Sequence, residues 1–209
     1  MISRESKAMS DTIREHVETL LDSGEIQGFV GTIRRQGRIL PHLFTSGDEL
    51  KDLYMGASDG AHPVRYALTK VLVAVAHRNP SQTLGVLVRG CDERSLKELF
   101  KWHQLDAARV VPVGLACSPE LAEACQCARP YPDAPVEGEK AEGVADQTVA
   151  RVDAMAMDDR LTYWMSEFER CIKCYGCRDA CPMCFCTECS LQDQDYIERG
   201  RVPPDIPLF

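Results

Sequence analysis

Eleven cysteines stand among 209 residues, and seven of them fall between Cys171 and Cys189. Cys171, Cys174, Cys177 and Cys181 spell C-x-x-C-x-x-C-x-x-x-C, and Pro182 follows directly. Thiolates separated by two residues can curl round a cubane and bind three of its irons. The last cysteine of such a run points away and reaches a second cluster. The spacing therefore predicts that Cys171, Cys174 and Cys177 hold one [4Fe–4S] cluster. Gly176, between the second and third ligands, is expected to let the backbone approach closely.

The run continues as Cys184-Phe185-Cys186 and ends at Cys189. Cys181, Cys184, Cys186 and Cys189 are expected to supply the fourth ligand of the first cluster and much of a second site. A pair of cubanes needs eight thiolates, and this stretch has seven. Either a ligand comes from elsewhere or one cluster stands beside spare cysteines. Zinc is the alternative metal, because Cys171-x-x-Cys174 and Cys186-x-x-Cys189 form pairs as in a zinc ribbon. Their separation is shorter than the usual zinc window, and zinc leaves Cys177, Cys181 and Cys184 unexplained.

Composition favours metal over disulfides. The cysteine count is odd, so disulfides alone would leave one unpaired. Residues 1–21 are rich in charge and carry no apolar core of an export signal, so a cytoplasmic setting with reduced thiols is expected. No apolar stretch is long enough to suggest membrane insertion; the longest, Val71 to Ala76, is far too short. The formal net charge of -8 and the lack of a Lys/Arg cluster argue against a nucleic-acid partner. No G-x-G-x-x-G follows a strand, no Walker A run is present, and the five histidines show no metal-pair spacing.

The remaining cysteines are Cys91, Cys117, Cys125 and Cys127. Their placement depends on the elements around them. Asp11–Leu21 reads as an amphipathic helix, with Ile13, Val17, Leu20 and Leu21 on one face and Gly24 ending it. Phe29–Ile33 and Arg38–Phe44 read as strands joined at Gln36-Gly37. A short acidic helix at Asp48–Tyr54, a loop at Gly56–Pro63 and a helix at Val64–His77 follow. Then comes an alternating unit: strand Thr83–Val88, helix Asp92–His103, strand Val110–Leu115. That alternation predicts an α/β fold with a partly parallel sheet and flanking helices. Cys91 and Cys117 each follow a strand of this unit, where ligands of open α/β sheets gather. The four thiols therefore read either as a cluster site or as structural cysteines with surface thiols. Arg89, Arg94 and Lys97 flank Cys91 and read as a solvated helix face. Arg129–Gln147, with its prolines and glycines, reads as a linker or wrapping arm, and Thr148–Arg170 as helical. Arg201–Phe209 is Pro-rich and expected to be extended.

Two resemblances sharpen these expectations. The cysteine run resembles that of bacterial ferredoxins. The stretches "LLDSGEIQGFVGTIRRQGRILPHLFTSGDEL", "GCDERSLKEL" and "VGLACSPELAEACQCARPYP" together resemble the beta-subunit family of deazaflavin-reducing hydrogenases and formate dehydrogenases. That resemblance implies an iron–sulfur site near a flavin and makes Cys91, Cys117, Cys125 and Cys127 cluster ligands. The family's Lys-Tyr loop reads Met55-Gly-Ala-Ser-Asp-Gly-Ala-His62 here, and its larger flavin-binding C-terminal portion has no counterpart, so this chain is expected to bind flavin poorly. The expected organisation is an α/β domain at 1–135, a linker and helix at 136–165, and a ferredoxin-like module with its tail at 166–209. The expected function is electron relay between the other redox subunits of a larger complex. The alternatives are a flavin-dependent enzyme passing electrons to a deazaflavin or nicotinamide, and a zinc-stabilised interaction module.

Overall fold

A computed structural model describes residues 4–55, 66–172 and 174–186. The loop at Gly56–Pro63, Cys189 and the tail at Arg201–Phe209 lie outside the described residues. The chain divides into two compact units. The first takes in the described residues up to Val144 together with Ala180–Phe185; the second takes in Ala145–Asp179 with Cys186.

The first unit is an α/β sheet with flanking helices, as the alternating pattern predicts. Helix α1 (Arg4–Asp22) precedes a hairpin of β1 (Gly28–Arg35) and β2 (Arg38–Phe44). Arg35 pairs with Arg38, and the intervening Gln36 and Gly37 have φ of 50° and 72°. Both loop residues are left-handed, as in a type I′ turn whose twist matches the strands. A 3-10 turn at Gly47–Asp52 occupies the place of the expected acidic helix and leads into β3 (Leu53–Tyr54). Then follow α2 (Leu68–Arg78), β4 (Leu84–Val88), α3 (Gly90–Lys101), β5 (Val110–Leu115), α4 (Pro119–Ala124) and β6 (Pro135–Glu137).

The strand order is β2-β1-β4-β5-β6, with β3 paired to β1. The β1–β4, β4–β5 and β5–β6 pairs are parallel, and the β1–β2 and β1–β3 pairs antiparallel. Every residue of β4 is buried, as expected of a central parallel strand covered on both faces. The core joins Ile13, Val17 and Leu20 of α1, Leu68 and Leu72 of α2, and Leu96 and Leu99 of α3 to Phe29, Val30, Phe44, Leu84, Val86 and Val113 of the sheet. Each such side chain, fully buried, contributes about 1.5–3 kcal/mol.

Some expected boundaries shift for local reasons. The helix ends at Lys101, and His103 leaves its face by taking φ 53°. The N–H of His103 is accepted by the Phe100 carbonyl and that of Gln104 by the Leu99 carbonyl, which together make a Schellman cap. The segment read as a linker or wrapping arm adds β6 to the sheet edge. In the second unit, the expected helix over Thr148–Arg170 is two helices, α5 (Gln147–Asp153) and α6 (Met157–Glu169). Asp146 caps α5 through the Val149 N–H, and Arg160 of α6 donates to the carbonyls of Asp153 and Met155 at the break. That guanidinium satisfies carbonyls a helix end would leave open. A short α7 (Gly176–Ala180) follows in the cysteine run. Among the described residues no helix is long and apolar enough to cross a membrane.

Candidate functional site

Four of the eleven cysteines gather where β4 and β5 end. β4 stops at Val88, Arg89 bridges, and Cys91 enters as the second residue of α3. β5 stops at Leu115, and Cys117 follows after Ala116. Parallel neighbours leave their C-terminal ends on one edge, so both cysteines reach it together. Ser118 then caps α4 by accepting from the Leu121 N–H at 3.3 Å, and Pro119 takes the first helical position.

Cys125 and Cys127 are placed by the end of the same helix. Cys125 is its C-cap, and Gln126 turns left-handed with φ 47°. The Gln126 N–H is accepted by Glu123 and the Cys127 N–H by Ala122, each at 3.0 Å. This is again a Schellman cap, here with glutamine in the position glycine usually holds. The C-x-C spacing is thus the geometry of a helix terminus: the intervening residue reverses the chain and keeps both cysteines beside it.

A strap from Cys127 to Val144 holds this edge. The Cys117 N–H donates to the Pro130 carbonyl at 2.8 Å, and the Val144 N–H to the Cys127 carbonyl at 2.9 Å. Gly90 makes the crossing possible, because a Cβ there would stand 2.5 Å from the carbonyl oxygens of Arg129 and Tyr131. Gly114 plays the same part under Ala134, whose carbonyl oxygen would lie 2.4 Å from a Cβ. Charges pin the outside of the strap. Lys97 pairs with Asp133 at 2.7 Å, Arg129 pairs with the same carboxylate, and Glu93 accepts the Asp133 N–H at 3.0 Å. The Lys97 and Arg129 bonds hold the Asp133 carboxyl down at about 2.

Cys117 and Cys91 respond to burial and to the charges around them. Burial chiefly pushes Cys117 up to about 11; the neighbouring Cys91, Cys127 and Cys125 add to the rise, and the Arg89 charge opposes it. Burial and Asp92 likewise raise Cys91, with Cys127 contributing and Arg89 and Arg94 opposing. Cys91 is exposed on one side, so its rise is smaller than full burial would give. Cys117, Cys125 and Cys127 are half-buried. Among the described residues, no three His, Cys, Asp or Glu side chains converge closely enough for a single metal ion. Four thiolates on one zinc stand only about 3.8 Å apart, from Zn–S bonds of 2.3 Å in a tetrahedron. A cubane takes its thiolates on four separate irons and accepts a wider ring.

Arg89 departs from the sequence reading. Arg94 and Lys97 are exposed and bonded to the strap, to the Arg129 carbonyl and to Asp133 respectively. Arg89 is buried, 7% exposed, and donates to the Met55 carbonyl at 2.8 Å. Its backbone N–H donates to Asp92 Oδ2 at 3.0 Å, which caps α3. No periodicity marks it, because it lies between strand and helix.

The C-terminal run is distributed over both units. Cys171, Cys174 and Cys177 are exposed and belong to the second unit. The Cys171 N–H donates to the Phe168 carbonyl just past α6. Tyr175 turns left-handed with φ 58° between Cys174 and Gly176. A Cβ at Gly176 would meet only Cys174 Sγ, at an ordinary 3.4 Å. The left-handed backbone of this stretch is at Tyr175, and among the described residues only Cys174 Sγ stands near a Cβ at Gly176. Cys181 and Cys184 belong to the first unit, joined by a bond from the Cys184 N–H to the Cys181 carbonyl, and Met183 and Phe185 pack on that unit's core. Cys186 is exposed in the second unit.

No family model matches the chain. A stretch of 50 residues, 23% of the chain, is 58% identical to an F420-dependent formate dehydrogenase subunit beta of Methanocaldococcus jannaschii, of which it covers 13%. A stretch of 46 residues, 22% of the chain, is 54% identical to an F420-dependent formate dehydrogenase 1 subunit beta of Methanococcus maripaludis, of which it covers 12%. The matched stretch spans about an eighth of the length of these curated relatives. Over that stretch the chain is similar to the beta subunits of F420-dependent formate dehydrogenases, in keeping with the beta-subunit motifs of the sequence.

Proposed function

We propose that the chain is an electron-transfer subunit that relays single electrons within a larger redox complex through [4Fe–4S] clusters. The observation that carries this reading is the gathering of Cys91, Cys117, Cys125 and Cys127 at the edge formed by β4, β5 and α4. A bound cluster supplies one-electron chemistry with little rearrangement. The chain's residues supply the rest. Parallel strands fix Cys91 and Cys117, the Schellman cap fixes Cys125 and Cys127, and the strap limits access of water to Cys117. Cys91 and Cys117, whose thiols burial holds toward the protonated form, release their protons on binding iron, so loading is coupled to proton release. In this reading Cys171, Cys174 and Cys177 hold a second cluster on the strength of their spacing. The similarity to formate dehydrogenase beta subunits supports partners that are themselves redox subunits.

Metal, sulfide and flavin analysis of the full chain, purified without oxygen, tests the reading. Iron with acid-labile sulfide is expected, with about one cubane's iron and sulfide lost in Cys117→Ser. Zinc alone would replace the relay with a zinc-stabilised module. Stoichiometric flavin would replace it with an enzyme acting on a deazaflavin or nicotinamide.

A further inference from the structure

A buried positive charge needs a negative partner, and Arg89 forms no ion pair among the described residues. The residue is 7% exposed, and its guanidinium donates to the neutral carbonyl of Met55. Among the described residues no carboxylate forms an ion pair with it. Buried charges are kept when something opposite stands by. Arg89 stands at the edge where the quartet gathers, between the end of β4 and Cys91 of α3, with β5 and Cys117 on the neighbouring strand. Neutral thiols offer it little, but an anionic group on the quartet would complete the pair. Arg94 and Lys97 do not compete for that role, because each is exposed and committed to the strap.

We propose that Arg89 is the counter-charge of the Cys91, Cys117, Cys125 and Cys127 quartet, and that its fixed positive charge raises the reduction potential of the cluster held there. This rests on the proposed cluster at those four cysteines. A cubane with four thiolates is a net anion, and reduction by a low-potential one-electron donor adds one more negative charge. No bond forms or breaks at Arg89, and it keeps its proton throughout. A nearby cation favours the more negative state, so it favours the reduced form. Arg89 is thus a positioning and tuning residue, not a ligand.

The experiment is a mediated dithionite titration of the full chain, followed by electron paramagnetic resonance. The signal that Cys117→Ser removes identifies the quartet's cluster. In Arg89→Gln the reduction equilibrium of that signal is expected to move at least tenfold toward the oxidised form, each factor of ten being about 59 mV for one electron. Arg89→Lys, which keeps the charge, should stay within about threefold of the unaltered chain. Loss of the cluster in Arg89→Gln with retention in Arg89→Lys would equally support a counter-charge. An Arg89→Gln equilibrium within about threefold of the unaltered chain overturns the proposal, as does any result in which the two variants shift or lose the cluster alike. If Cys117→Ser removes neither iron nor signal, the quartet reading itself fails, separately and first.

Discussion

At Gly90 the absent side chain is a steric requirement. A Cβ there would stand 2.5 Å from two backbone carbonyl oxygens of the strap, and neither can swing aside as a flexible side chain would. Gly90→Ala should therefore destabilise the first unit by about 1–3 kcal/mol, the usual cost of overpacking. The urea midpoint of that unit reads the loss directly. Gly176→Ala is the contrast, because its Cβ meets only Cys174 Sγ at 3.4 Å. It should leave stability unchanged or raise it by up to about 1 kcal/mol, through the reduced freedom of the unfolded chain. Equal losses in both variants would contradict these roles. Sequence alone draws attention to Gly176, because it stands between two expected ligands. The need at Gly90 is invisible there, since the carbonyls that create it come from residues about forty positions later in the chain. Arg89 escaped for the same kind of reason. It reads as one of three cations beside a cysteine, and only the packed structure separates the buried one from the two on the surface.

At the level of elements, α4 decides where half of the quartet stands. The helix is only Pro119–Ala124, too short for apolar periodicity to reveal, yet its ends carry clear local chemistry. Ser118 and Pro119 open it, and the left-handed Gln126 closes it. Left-handed backbone costs an ordinary residue roughly 1–2 kcal/mol, which glycine does not bear. Gln126→Gly should stabilise the cap by about 0.5–1 kcal/mol after the added freedom of glycine in the unfolded chain is subtracted. Gln126→Val should destabilise it, because a β-branched side chain suits left-handed backbone worst. Thermal unfolding midpoints of the two variants, moving in opposite directions, would establish the cap; a shared direction would refute it. The longer elements were readable in advance. β4 and β5 are short apolar runs, and α1 and α3 repeat their leucines and valines at helical spacing. β6 was not, because Pro135-Val136-Glu137 has no strand signature and pairs only because the strap lays it against β5.

Over the whole first unit, segments far apart in sequence must meet before the fold is complete. The Ile13 N–H of α1 is accepted by Glu137 Oε2 of β6 at 3.3 Å, across 124 positions of sequence. Glu137 is 8% exposed. Burial raises its carboxyl above the ordinary value of 4.5, and Asp11 adds slightly; the Ile13 N–H and the Arg14 charge pull the other way without cancelling the rise. The sign of the consequence follows from linkage. A carboxyl that holds its proton more tightly in the folded chain favours folding at pH below its unfolded value, and that contribution is lost as pH climbs through the raised folded value. Asp133 slopes oppositely. Its folded carboxyl titrates near 2 against an unfolded 3.8, so its contribution is present above 3.8 and fades as pH falls toward 2; its exposure makes that contribution small. The windows barely overlap, which lets one variant isolate one group. Glu137→Gln keeps an oxygen to accept the Ile13 N–H and removes the charge. Relative to the unaltered chain its stability should rise as pH increases from about 4.5 toward neutrality, and the difference should level off once Glu137 is fully ionised. Urea titrations at several pH values between about 4 and 7 measure the trend. A difference that stays flat or falls with pH would mean that Glu137 does not carry a buried, penalised charge.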